Sequence, residues 1–599
     1  MNWKNRSYCK QIPKIEPNTG VTLYGFVDTI RDHGHLLFIH IRDVSGVVQM
    51  VFDPEKDKAV YDLASTLRSE WVITIEGTVQ KRTIENINPN IPTGAYEIHV
   101  NGLTVLSQAK TPPFTITEKE LTADDSVTKT VDEDLRLRHR YLDLRRPSMQ
   151  EKLIKRSKII KKIRDYLEKH TFTDVETPML TKSTPEGARD YLVPSRVHEG
   201  KFYALPQSPQ LFKQLLMVSG LERYFQIVKC FRDEDLRPNR QPEFTQMDLE
   251  ASYIDESFIY ELIEGLIKEL FALENVELPD TFPHMSHKDA MDRYGSENPD
   301  LRFNMPLAEV TDLLTGCGYK IFNTIANQKG LIKGLVLPQQ AEHLSKNMLQ
   351  NDLAGKVIPS LGAKGMTWMK CVDGGFESNI VQFFNDEELN NLKDRLGAVD
   401  GDIMIFIADT NHSLVNDVLG QFRVYIADRL ELIDTSKTCP VWITDFPLFE
   451  QKDGRLHSIH HPFTMPAQEF PDPQDKEALL KLTSRAYDLV INGQEIGGGS
   501  LRIYDSKLQQ QVFDALGLSK DEIREKFGFF VDALTYGTPP HGGIALGIDR
   551  LVGMILNTDS IREVIAFPKN RMAYCPLSQA PSTVDSSQLD DLHLRLKLD

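Results

Sequence analysis

Apolar residues alternate with polar ones at a period of two over the first hundred positions, and recur at helical spacing further along the chain. Leu37, Ile39 and Ile41 share one face of a strand while Phe38 and His40 share the other. Val48, Met50 and Phe52 likewise oppose Gln49. The turn Asp43-Val44-Ser45-Gly46 joins the two runs, Leu36 to Arg42 and Val47 to Phe52, and short strands with turns are expected throughout residues 21 to 106. An aromatic and an amide opposite such an apolar set suit the stacking and edge recognition by which small barrels hold single-stranded bases. The alternative is that Phe38 belongs to a second small core. Farther on, Ile159, Ile163 and Leu167 predict a helix over Glu151 to Lys169, and Phe258, Leu262, Leu266 and Leu270 predict another.

The pattern then changes. From Tyr224, alternate residues put Gln226, Val228, Cys230 and Arg232 on one strand face, and Phe244, Gln246, Asp248 and Glu250 share a face of the return strand. So many polar groups are costly in a dry core but suit a wet site for a charged substrate; a solvated hairpin is the other reading. Two later segments share this character. Ala486 to Arg502 carries Asp488 and Glu495, carboxylates of the kind Mg²⁺ takes one or two at a time with substrate phosphates. Gly542 to Leu551 offers glycines through which a ligand can approach the backbone, and then Arg550 where an apolar helix begins, a good place for a guanidinium to meet phosphate.

Composition narrows the class. At 599 residues the chain is too long for one core, and 41% hydrophobic with 26% charged residues is ordinary for a soluble globular protein. No apolar run is long enough to span a membrane and the start lacks a signal-peptide core, which makes cytoplasm the expected location. Six cysteines show no Cys-x-x-Cys spacing, so buried thiols are expected rather than disulfides or a zinc site. A net charge of −17 argues against general nucleic-acid binding, although the run from Lys152 to Arg164 concentrates basic residues locally. The same run is explained by a solvated helix face.

In this order the three segments resemble the signature motifs of class II aminoacyl-tRNA synthetases. The first motif is the basic helix leading to Val175-Glu176-Thr177-Pro178, the second the arginine hairpin, the third the Arg550 segment. Ser183-Thr184-Pro185-Glu186-Gly187-Ala188-Arg189-Asp190-Tyr191, Gln207 to Lys213, Cys230 to Glu234, His460-His461-Pro462-Phe463 and Gly497-Gly498-Gly499-Ser500 are similar to fingerprints of bacterial-type aspartyl-tRNA synthetases, over nearly the whole chain. Ala545 departs from the pattern, standing where the third motif often has a glycine. The resemblance implies an α+β protein: an antiparallel sheet core flanked by helices, an N-terminal five-stranded OB barrel that binds the anticodon, and an inserted α/β domain. The expected divisions are a barrel at 1–106, a hinge at 107–141, catalytic segments at 142–283 and 418–567, an insertion at 284–417 and an extension at 568–599. A homodimer is implied as well.

The same resemblance assigns roles. Aspartate would attack the α-phosphorus of ATP, and the adenylate would pass its acyl group to the end of tRNA, so catalysis is positioning and charge neutralisation. Arg232 would hold the α-phosphate and substrate carboxylate, and Arg550 the γ-phosphate. Asp233, Glu234, Gln241, Gly547, Ile548 and Asp549 complete the ATP set, with Gln241 at adenine, and Asp488 and Glu495 would hold Mg²⁺. Lys213 and Arg502 would select aspartate over asparagine, since the neutral amide leaves cations unpaired. Glu186, Ser208, Gln210 and Asp248 would receive the α-ammonium or orient Lys213, with His460 and His461 closing on the substrate. Glu495 and Arg502, seven apart, point oppositely in a regular strand, and a bulge at the glycines 497 to 499 would reverse this.

Arg31, Phe38 and Gln49 are the anticodon set. His33 occupies the position where strictly discriminating enzymes tend to carry leucine, and Asn88 to Gly94 resembles the loop of nondiscriminating ones. An enzyme charging both tRNA(Asp) and tRNA(Asn) is therefore expected; a discriminating tRNA(Asp) enzyme is the alternative, with His33 merely capping a turn. An inactive tRNA-binding paralogue should have lost Arg232, Glu495 and Arg550. A tRNA-independent amide ligase should lack the barrel, and a lysine substrate would be repelled by Lys213 and Arg502.

Overall fold

The computed structural model describes residues 3–117, 131–184, 189–234 and 239–597. Glu186 and the acidic part of the expected hinge lie outside the described residues. Two compact units divide the chain, one of Met1–Lys158 with Leu236–Gln241 and Thr558–Asp585, the other of Ile159–Asp235, Pro242–Asn557 and Ser586–Asp599.

In the first unit five strands close a barrel: β1 (Gly20–Asp32), β2 (Leu37–Asp43), β3 (Gly46–Phe52), β4 (Val72–Lys81) and β5 (Tyr96–Ser107), in the order β1-β2-β3-β5-β4. The period of two holds, with Leu37, Ile39, Ile41, Val48, Met50 and Phe52 all buried in one apolar interior. The helix Pro147–Lys169 runs four residues further toward the N-terminus than expected, and its Ile159, Ile163 and Leu167 are buried.

The second unit is organised by an eight-stranded sheet. Its six central strands, Pro440–Thr444, Ala486–Ile491, Gln494–Leu501, His541–Gly547, Glu243–Ser252 and Arg223–Phe231, pair antiparallel in that spatial order. Short parallel strands, His284–Ser286 and Thr173–Asp174, flank it. The hairpin sets Gln226 opposite Asp248 and Tyr224 opposite Glu250. Asp255 caps the helix Glu256–Phe271 by accepting from Phe258 N, and that helix buries Leu262, Leu266 and Leu270.

Residues 308–409 carry a second, five-stranded antiparallel sheet with helices. Its central strand Ile403–Asp409 alternates between two cores, Ile403, Ile405 and Ile407 in one and Met404 and Phe406 in the other. The helix His412–Arg429 runs across position 417 and packs Val415, Val418 and Phe422 into the first of these cores. Among the described residues no helix is long and apolar enough to cross a membrane. All six cysteines are free, and all but the partly exposed Cys439 are buried.

Candidate active site

Ten of the expected residues line one cavity of about 320 Å³ in the second unit: Ser208, Gln210, Lys213, Arg232, Asp248, His460, His461, Asp488, Glu495 and Arg502. Most arrive from a strand or a helix start whose register fixes their direction, while His460 and His461 sit in the loop after the strand Arg455–Ser458. Asp248 stands on the central hairpin, Lys213 in the first turns of the helix Gln210–Val218, and Asp488, Glu495 and Arg502 on or just beyond neighbouring strands.

At the floor lies a chain of four alternating charges. Lys213 Nζ donates to Asp248 Oδ2 at 2.9 Å and lies 3.2 Å from Glu250 Oε2, while Arg502 Nε donates to Glu250 Oε1 at 2.9 Å. All four are almost completely buried. Glu250, central to the network, was not among the expected site residues, although it shares the polar strand face of Asp248 two positions away. Burial pushes the Asp248 carboxyl up to about 6 against the pull of Lys213. Burial also acts to raise Glu250, but the charges of Arg502 and Lys213 outweigh it and hold that carboxyl below its usual range.

The two cations differ in what they have left to give. The Lys213 ammonium has three donors, two of them directed to carboxylates among the described residues. Arg502 has five, and all are engaged: Nε and Nη2 on Glu250, Nη1 on Ser500 Oγ at 2.6 Å and His461 Nε2 at 2.7 Å, and Nη2 also on Gly543 O at 3.4 Å. The expectation that asparagine would leave these cations unpaired is thus corrected, because carboxylates of the protein already pair both. His461 Nε2 faces Arg502 Nη1, while its Nδ1 accepts from Phe463 N at 3.2 Å and lies 3.3 Å from Thr464 Oγ1. Burial, and then the charge of Arg502, hold this imidazole well below its usual range. His460 goes the other way. Burial would lower it, but its contact with Asp488 at 3.5 Å and the charges of Asp488, Glu495 and Glu297 raise it.

Glycines serve a purpose that differs from the one read in the sequence. A Cβ on Gly543 would lie 2.1 Å from Glu250 Oε2, and one on Gly498 would lie 2.3 Å from Asp488 Oδ1. These positions make room for the protein's own carboxylates rather than for a ligand's approach; only Gly547 leaves its surroundings open, with nothing nearer than 3.6 Å. The bulge is present but displaced. Val490 pairs with Glu495 and Leu489 with Gly497, which leaves Ile496 as the extra residue, one position before the glycines. Glu495 and Arg502 consequently face the same cavity.

Within the cavity Arg232 stacks on the Phe244 ring at 5.1 Å. The remaining residues sit elsewhere. Asp233 bridges the backbone of Arg189, and Glu234 ends that stretch of described residues. Arg550, in the first turn of the helix Ile548–Ile555, donates from Nη1 to Glu495 O at 2.9 Å. Ile548 is buried in the core and Asp549 accepts from Thr245 N, so neither side chain lines the cavity. In the first unit, Gln241 is buried with both ends of its amide bonded to the backbone of Lys569. Glu297, from the expected insertion, lines the cavity and carried no motif that would have revealed it.

On the barrel, Phe38 is half-buried outside the interior core, Arg31 pairs with it across β1 and β2, and His33 meets it edge-on at 5.4 Å. In the turn the Asp32 carboxylate accepts from Gly34 N, and the His33 backbone donates to Leu36 O and accepts from His35 N. Gln49 is buried and donates to Glu97 Oε2 at 3.2 Å.

A barrel with one decorated outer face and an antiparallel sheet bearing a charged cavity together define the class. Residues 132–571 match the family of class II tRNA synthetases (D, K and N), and residues 21–106 match an OB-fold nucleic acid binding domain. The chain belongs to this synthetase family. Among its relatives, the aspartate–tRNA(Asp/Asn) ligase 1 of Syntrophus aciditrophicus is 53% identical, covering 99% of this chain and 83% of the relative. The aspartate–tRNA(Asp/Asn) ligase of Natranaerobius thermophilus is 47% identical over 99% of both chains, and the aspartate–tRNA ligase of Staphylococcus carnosus 45% over 99% of this chain and all of its own. In fold it is similar to the asparaginyl-tRNA synthetase of Pyrococcus horikoshii, with a TM-score of 0.57 at 20% identity, covering 94% of this chain and 98% of that one.

Proposed function

We propose that this chain activates L-aspartate with ATP and transfers it to both tRNA(Asp) and tRNA(Asn). The observation that carries the reading is the buried Asp248–Lys213–Glu250–Arg502 chain opening onto the cavity. Gln210 Nε2 and Asp248 Oδ1 are buried there without hydrogen-bond partners among the described residues. An amino acid supplies what both lack, a carboxylate to accept and an ammonium to donate. The remaining Lys213 donor takes the side-chain carboxylate, which also displaces His461 as the acceptor of Arg502. An amide in that place offers one oxygen and two unwanted hydrogens, so selectivity comes from exchanging acceptors.

ATP lies toward Arg232, Glu234, Gly547 and Arg550. Burial, and then the neighbouring charge of Asp488, raise the Glu495 carboxyl, a repulsion that a divalent cation would relieve. No cluster of three metal-ligating side chains occurs among the described residues. Asp488 and Glu495 therefore fit Mg²⁺ held jointly with phosphates, and the ion when bound supplies charge neutralisation on the phosphate oxygens. Arg232 aligns the α-phosphate with the attacking carboxylate.

The dual tRNA reading rests on His33, whose ring borders Phe38. Relatives under both kinds of name make it the point to test. Pyrophosphate exchange with aspartate, asparagine and lysine, followed by charging of each purified tRNA, is the experiment. Exchange with aspartate alone and aspartyl product on both tRNAs are expected; exchange with another amino acid overturns the substrate, and no product on tRNA(Asn) overturns the dual reading. A cytoplasmic homodimer is inferred from the family, and light scattering at a dimer's mass checks the assembly.

A further inference from the structure

A second cavity, of about 260 Å³, opens in the first unit between the outer face of the barrel and the start of the helix Pro147–Lys169. Two guanidiniums are held on its walls by aromatic rings. Arg6 lies over Tyr8 at 4.4 Å, and Arg145 over Phe26 at 4.3 Å. Tyr24 and Gln150 complete the lining used here.

The donors of these arginines are only partly committed. Arg6 Nη2 donates to Tyr24 O at 3.2 Å, while its Nε is buried with no partner among the described residues. Arg145 gives one bond, from Nη1 to Glu70 Oε2 at 3.0 Å. By contrast the neighbouring Arg42 is spent on Asp28 and Glu70. Asp43, the acidic group on the wall, is occupied by the backbone donors of Cys9 and Ser45. The cavity therefore presents two pre-oriented forks of positive charge and an amide, with apolar rings around them. That arrangement matches a phosphodiester with its attached ribose and base better than a bare ion, because stacked arginines combine bidentate phosphate recognition with a ring face.

Its position selects the source of the phosphate. Phe38, His40 and Arg42 occupy alternate positions of β2, so they share its outer face, and Phe26 pairs directly with Arg42. The cavity thus lies about 13 Å along the same sheet face from Phe38, at ~3.3 Å per residue. We propose that it is a phosphate subsite for the sugar–phosphate backbone of the RNA partner, gripping the strand beyond the bases read at Phe38. This rests on the reading of the chain as a tRNA-charging enzyme.

The test is steady-state charging by full-length Arg6→Ala, whose side chain makes no ion pair among the described residues. KM for tRNA should rise roughly tenfold with little change in kcat. The salt dependence of tRNA binding should flatten by about 0.7–0.9 in logarithmic slope, as for one lost phosphate contact. Arg6→Lys, which keeps the charge and loses the fork, should fall between. Both effects should be equal for tRNAs with altered anticodons, since a phosphate contact carries no sequence information. Aspartate-dependent pyrophosphate exchange without tRNA should stay at the wild-type level.

An unchanged KM and salt slope in Arg6→Ala overturns the proposal, as does an effect confined to one anticodon. If the variant loses only its binding of adenosine monophosphate or inorganic phosphate while charging is unaltered, the cavity serves a free phosphate ligand and the RNA assignment is wrong. A wild-type chain that charges no tRNA defeats the functional reading and this one with it; normal wild-type charging with a silent Arg6→Ala defeats this one alone.

Discussion

The barrel and the catalytic sheet each contain a zigzag of four charges, buried throughout in the sheet and at every member but Arg145 in the barrel. In the barrel unit it runs Asp28–Arg42–Glu70–Arg145, and in the sheet Asp248–Lys213–Glu250–Arg502. They differ in the second member. Arg42 spreads its planar fork over two carboxylates, Nη1 on Asp28 and Nη2 on both oxygens of Glu70 at 2.7 and 2.9 Å, and locks the three together. Lys213 meets two carboxylates as a point charge and keeps a hydrogen in reserve. A buried ion pair is weak evidence for stability as such, and what separates the two chains is whether the second member, buried between two carboxylates, keeps a donor for a ligand.

That contrast can be broken most decisively at Arg502. Arg502→Ala should lower kcat/KM for aspartate in pyrophosphate exchange by about 10³-fold or more, because Glu250 is left buried and unpaired beside the substrate. If exchange survives and only stability falls, the sheet network is a scaffold like the one in the barrel. Arg42→Met is the complementary case. Removing one partner of a buried pair should destabilise the barrel by about 3–5 kcal/mol in urea unfolding, with exchange unaffected. Loss of exchange in a folded Arg42→Met chain would erase the distinction.

Gly543→Ala addresses the same network through the backbone. Its new methyl must displace the Glu250 carboxylate, so a loss of exchange of about 10²-fold is expected, with a smaller loss for the open position Gly547→Ala. Equal losses at the two positions would contradict the crowding argument. The smallest effect is on pH. With Asp248 titrating at about 6, protonation below that value takes away the charge that Asp248 Oδ1 offers the substrate ammonium. KM for aspartate should therefore rise several-fold as pH drops through 6 and level off above it. Asp248→Asn should abolish the inflection, and an inflection that persists belongs to another group.

Period-two reading gave the polar face on which Asp248 lines the cavity, because strand geometry alone decides which face a side chain takes. The apolar interior of the barrel was legible for the same reason. Glu250's role was not legible as such, since its partners Lys213 and Arg502 come from positions 213 and 502 and meet only when strands far apart in sequence pair. Glu297 was hidden because nothing near it resembles a site; it reaches the cavity by tertiary placement alone. The saturation of Arg502 is likewise a tertiary fact. Ser500 Oγ is visible two residues away, but His461 and Gly543 are not. The bulge was anticipated from a parity conflict, yet its site at Ile496 was set by the partner strand's pairing and not by the glycines.

Ile496 has a consequence for how this segment can vary. Removing it would keep the chemical identity of Glu495 and Arg502 intact while turning the carboxylate to the far side of the sheet, away from the guanidinium it now accompanies. Residues along the strand can therefore be exchanged one for another more safely than they can be counted differently: a single-residue deletion here should be as damaging as losing the carboxylate itself.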